Sequence, residues 1–158
     1  MPTLIKNIAE QLQQEHQMIG AAAKELKDLV ERPVGPHEEE PSNWLNSVRD
    51  SLLSLSSHLK THFAFEEFGG FMEEVVGASP NASPQVERLK QDHQTILAES
   101  ERLCRAARRR SSSSETSQLR KQILHLLELL EPARTCGNRT GPASADGRSW
   151  NDGLVQTL

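Results

Sequence analysis

Four stretches of the chain place apolar residues in steps of three and four, the spacing that lines one face of an α-helix. The first runs from about Leu4 to Arg32 with the stripe Ile5, Ile8, Leu12, His16, Ile19, Ala23, Leu26 and Val30, and stops at Pro33-Val34-Gly35-Pro36. An acidic linker (Glu38 to Glu40), Pro41 and a Ser42 or Asn43 cap precede the second, which runs from about Trp44 to Met72 or a little beyond. Its stripe is Val48, Leu52, Leu55, Leu59, His62 and Glu66, and Gly69-Gly70 marks a kink or an early end. Ser83-Pro84 reads as a cap followed by an N1 proline and opens the third stripe: Val86, Leu89, His93, Ile96, Ser100, Leu103 and Ala107. A basic run (Arg105, Arg108 to Arg110) and a serine run (Ser111 to Ser114) close it, with basic residues suiting a helix C-terminus. The fourth begins near Glu115 or Thr116, carries Leu119, Ile123, Leu126 and Leu130, and stops at Pro132.

Strand alternation and internal repeats are absent. Four helices joined by short links predict an all-α, antiparallel up-down-up-down four-helix bundle. Beyond Pro132 the composition turns to Gly, Ser, Thr, Arg and Asn without helical period, which predicts a disordered C-terminal tail. The expected division is a bundle over residues 1–131 and a tail over 132–158. A length of 158 residues suits one such core rather than two.

Composition removes several function classes. A net charge of −4 gives no general pull toward nucleic acid. No apolar run approaches the roughly 20 residues of a spanning helix. Met1-Pro2-Thr3-Leu4 lacks a basic segment leading into a long apolar core, so the expected location is the cytoplasm. The two cysteines, Cys104 and Cys136, match no zinc spacing, and Cys104 reads as a packed helix residue.

The chemistry lies in the stripes. His16, His62 and His93 each stand where an aliphatic residue is due, and Glu66 comes one turn after His62 on the same face. A single stripe histidine is more often a hydrogen-bonded core or boundary residue than a ligand. Three with a carboxylate, in a chain holding six histidines, are a different matter. Sixteen residues separate His16 from Arg32 and 18 separate Trp44 from His62. At about 1.5 Å per residue the two histidines of an antiparallel pair then stand within roughly 3 Å of one level. From Glu66 to Val76 is 10 residues and from Pro84 to His93 is 9, so the third histidine reaches that level too. Burial of such a set is costly unless something compensates it. Imidazole nitrogens and carboxylate oxygens suit iron, zinc or manganese.

His62-Phe63-Ala64-Phe65-Glu66-Glu67 resembles the HFxxEE signature of hemerythrin-like (HHE cation-binding) domains, and Glu15-His16 and Asp92-His93 resemble that family's single-histidine motifs. The resemblance covers roughly residues 5 to 131. It implies a non-haem di-iron cofactor inside the bundle, with His16, His62 and His93 as imidazole ligands and Glu66 as a carboxylate able to bridge two irons. It also implies that the partners are a metal ion and a diatomic gas, since family members carry or sense oxygen, iron or nitric oxide.

The chain departs from that pattern at its fourth helix. Counting by level, the family's second HxxxE falls on Ala133 and Gly137, just past Pro132. His125 lies off the stripe and about two turns early, and reads as a solvent or boundary residue. The extra third-helix histidine of oxygen carriers is Leu89 here, which argues against a respiratory carrier. A shifted reading frame after Pro132 would place a helix stop and a composition change together, because another frame through Ala133 to Asn138 is able to encode His-Glu-Arg-Ala-Glu; a divergent tail is the alternative. His58 reads as a stripe-edge residue, His37 as an inert linker residue and Glu67 as solvated, pointing away from Glu66. Two function classes result: a non-enzymatic metal-binding bundle that senses, stores or binds iron, oxygen or nitric oxide, and a structural or interaction bundle whose metal site has decayed. A ferritin-like oxidative enzyme would need four carboxylates with ExxH pairs, and the stripes hold one carboxylate.

Overall fold

A computed structural model describes residues 2–32, 41–109 and 113–130. Five helices run in the order α1 (Pro2–Glu31), α2 (Pro41–Phe68), α3 (Phe71–Ala78), α4 (Ser83–Ala107) and α5 (Ser113–Leu130), and no strand occurs among the described residues. The four long helices close a ring in which α1 packs on α2, α2 on α4, α4 on α5 and α5 back on α1. This is the expected bundle. His37, Cys136, Ala133 and the tail after Pro132 lie outside the described residues.

Three helix starts differ from expectation, the first being that of α2, which already begins at Pro41, ahead of the expected Ser42 or Asn43 cap. The second apolar stretch ends early, at Phe68 before Gly69-Gly70, which is one of the two outcomes expected there, and a separate short helix begins at Phe71. A side chain on Gly69 would collide with the backbone carbonyl of Phe65, and Gly70 takes φ +87°, a left-handed conformation that glycine adopts without steric cost. Ser83 is the first helical residue of α4 and not its cap, because a 3₁₀ turn (Pro80–Ala82) feeds the helix directly. The last helix starts at Ser113, earlier than its stripe suggests.

Two of the free carbonyls at the end of α1, and that of the following residue, are satisfied from other helices. α1 has no basic residue in its last turn, so its terminal C=O groups lack a local charged donor. Trp44 Nε1 donates to Leu29 O at 3.0 Å, and Arg120 Nη1 donates to Val30 O at 2.7 Å and to Arg32 O at 2.9 Å. The Arg120 guanidinium also lies 4.4 Å from the Trp44 ring centroid. One guanidinium and one indole thereby tie α1, α2 and α5 together at this end.

Two apolar clusters fill the interior. The larger includes Ile19, Leu26, Val48, Leu52, Leu59, Phe63, Leu103, Ile123 and Leu126; the smaller includes Leu12, Phe71, Met72, Val75 and Val86. Cys104 packs in the larger cluster, where burial pushes its thiol pKa up, as suits an inert core cysteine. Buried Ser56 and Ser100 meet at 3.1 Å across α2 and α4. The clusters do not merge. On α1, His16 falls between Leu12 of one and Ile19 of the other; His62 and Glu66 fall between Leu59 on α2 and Phe71 at the start of α3; on α4, His93 falls between Val86 and Leu103.

Candidate metal centre

The seam between the clusters is polar because each of three helices sends an imidazole or carboxylate into it. His62, Glu66 and His93 keep only 3%, 2% and 3% of their surface, and His16 is half-buried. The four residues expected to act together are all at this seam. His16, His62 and Glu66 present ligand-capable atoms that all lie within 4.8 Å of one another. The His16 and His62 rings stand 4.4 Å apart, tilted by 58°.

Glu66 is the hub. Its Oε1 lies 3.4 Å from His62 Nε2 and its Oε2 lies 3.2 Å from His93 Nε2, so the two carboxylate oxygens face imidazoles from different helices. His93 therefore stands across the carboxylate from the closely spaced trio and is not part of it. Burial alone would raise the Glu66 pKa, but hydrogen bonds from His62 and His93, aided by their charge, outweigh it and bring the group down to about 2. For His16 the balance runs the other way. Burial and the neighbouring His62 lower its pKa, and Glu66 only partly opposes them. His62 Nδ1 is buried without a hydrogen-bond partner.

Glu67 is not the solvated residue its position suggests. Its Oε1 lies 2.8 Å from His93 Nδ1, and its side chain keeps 21% of its surface. The reason is the α2–α4 contact. Phe63 and Glu67 are one turn apart on α2 and address the same α4 residue: Phe63 stacks on the His93 ring at 3.8 Å and 8°, and Glu67 takes its edge. That i,i+4 pair is the signal the sequence offers.

The other histidines fall where the stripes place them. His125 is exposed beside Glu128, and His58 is half-buried outside the cluster. Leu89 packs against the smaller apolar cluster. Among the described residues no His, Cys, Asp or Glu of α5 joins the close trio, and the described course of that helix ends at Leu130.

Compared with known families, residues 7–132 match the sequence model of the hemerythrin HHE cation-binding domain. The chain belongs to that family. Comparisons with curated proteins and with solved structures gave no match. Hemerythrin-family membership makes the polar seam a candidate cation site, and the donor set fits one: two imidazoles and a carboxylate in close reach, supplied by α1 and α2 in the bundle core. No helix among the described residues is long and apolar enough to cross a membrane.

Proposed function

We propose that this hemerythrin-family bundle binds a non-haem iron through His16, His62, Glu66 and His93, and that it serves in sensing, storing or binding iron, oxygen or nitric oxide rather than as an enzyme. The observation that carries the reading is the buried convergence of the His16, His62 and Glu66 donor atoms within 4.8 Å. Metal ligands must be deprotonated, and the site favours those forms: the carboxyl of Glu66 ionises from about pH 2 upward, and burial keeps His16 neutral. The unpartnered His62 nitrogen adds support, since buried polar atoms are seldom left unsatisfied. A bound iron would supply Lewis acidity and an attachment point for a diatomic ligand.

The trio offers one well-provided position, and His93 on the second oxygen of Glu66 offers a poorer one. Occupancy nearer one iron per chain than two is expected. The lack of a donor from α5 among the described residues favours the second reading, a bundle whose metal site has decayed. The same proposal takes residues 1–131 as the folded unit, supported by a family match that ends at residue 132, and places the protein in the cytoplasm.

Anaerobic reconstitution with Fe(II), followed by metal counting, tests this. Wild type and His125→Ala should retain about one iron, while His62→Ala and Glu66→Ala should lose most of it with unchanged far-UV circular dichroism. Equal iron content in all four, or none in wild type, would overturn the assignment.

A further inference from the structure

We infer that Glu67 is a positioning residue that orients His93 for metal binding; this rests on the iron-site reading above. Glu67 does not belong to the close trio. Its carboxylate reaches the seam only through His93.

Three contacts define the pose of the His93 ring. Phe63 covers one face at 3.8 Å and nearly parallel, which opposes tilting toward that side. Glu67 Oε1 meets Nδ1 at 2.8 Å, and Glu66 Oε2 meets Nε2 at the longer 3.2 Å. A neutral imidazole carries one proton and an ionised carboxylate only accepts. In the metal-free chain both ring nitrogens face a carboxylate; on metal binding the shorter contact holds the N–H on Nδ1, and Nε2 gives up its hydrogen bond to Glu66 and offers its lone pair to the ion. A half-turn of the ring would exchange its nitrogens for carbons at both carboxylates, which breaks both contacts. Carboxylates placed behind a ligating imidazole act in this way, setting its tautomer and raising its basicity.

The surroundings suit that role. Glu67 borders a cleft of about 140 Å³ between α2 and α4, lined also by Lys60, Ala64, Phe68, Gln94 and Leu97. Lys60 at the rim is engaged by Glu101 at 2.7 Å and leaves the Glu67 charge to His93. Because Glu67 is near the surface, its removal leaves no large cavity.

The test is Fe(II) affinity, measured anaerobically by chelator competition, for wild type, Glu67→Ala, Glu67→Gln, His93→Ala and Glu67→Ala/His93→Ala. Glu67→Ala should weaken binding by roughly 10–100-fold. Glu67→Gln keeps an oxygen that accepts the Nδ1 proton and should recover most of the loss. In the His93→Ala background the Glu67 effect should vanish, because it acts only through that ring. A merely structural role would lower the melting temperature of chelated Glu67→Ala and persist without His93. Wild type that binds no iron refutes the metal reading itself. Iron-binding wild type with an unaffected Glu67→Ala, or an equal Glu67 effect with and without His93, refutes this inference alone.

Discussion

Acid should destabilise the chelated protein in two windows, and Glu66→Gln should abolish only the lower one. The Glu66 carboxyl titrates at about 2 in the folded chain against an ordinary 4.5. A depressed folded pKa means that the unfolded chain takes up the proton first as pH falls. The stabilisation is then whole above about pH 5 and lost as pH drops toward 2. At about 1.4 kcal/mol per tenfold in proton concentration, the difference amounts to about 3 kcal/mol. The group is almost fully buried, so solvent screening removes little of it. His16 acts earlier. Its lowered folded pKa makes the unfolded chain bind protons first as pH falls below 6.5, so a gentler loss begins there. Urea unfolding monitored by circular dichroism at intervals from pH 7 to pH 2.5 would separate the two. The midpoint advantage of wild type over Glu66→Gln should shrink by roughly 1–3 M urea across the lower window. Should that difference be flat with pH, the hydrogen bonds from His62 and His93 do not hold the carboxylate ionised, and the electrostatic account of the seam fails.

Arg120→Met keeps the side-chain stem and removes two hydrogen bonds and a ring contact, at a cost of about 2 kcal/mol, or roughly 4–8 °C of melting temperature. Trp44→Phe should cost less, about 1 kcal/mol for its single bond to Leu29, and an unmoved melting temperature in Arg120→Met would show that water caps α1 equally well. The nucleotides encoding Ala133 to Asn138 decide between a frame change and a divergent tail. A histidine codon with a carboxylate codon four residues later in another frame is the outcome expected from a shift, and its absence from both frames ends that idea.

Much of this architecture is legible in the sequence alone. The four stripes need only the helical period, and Leu12, Ile19, Leu26, Leu52, Leu59 and Ile123 are buried as that period requires. His16, His62, Glu66 and His93 stand out because each interrupts an apolar series, and level counting across antiparallel helices brings them together. Glu67 escapes because its direction is judged against the His62–Glu66 face, and the Phe63–Glu67 pair gains meaning only once α4 is in place. Its partner is on another helix, and only the azimuth of α4 against Phe63 shows that a residue off the stripe faces an imidazole. The Arg120 cap escapes for the same kind of reason. An arginine 90 positions from its acceptor carries no local signature. Gly69-Gly70 announces a break, but not that the chain resumes as a helix after it.

The order of the proposed ligands along the chain has a consequence for biosynthesis. His16, His62, Glu66 and His93 all precede α5, whose first residue, Ser113, lies twenty positions beyond His93. At translation rates of about 5–20 residues per second, the last donor is made roughly 1–4 s before the fourth wall of the bundle begins. During that interval the face of α1 and α4 that Leu119, Ile123 and Leu126 will later cover is bare. An ion captured then would clamp three nascent helices and hold that apolar face in register for its missing partner. Iron supply at the ribosome, and not only in the finished protein, would then set how much of the chain escapes aggregation.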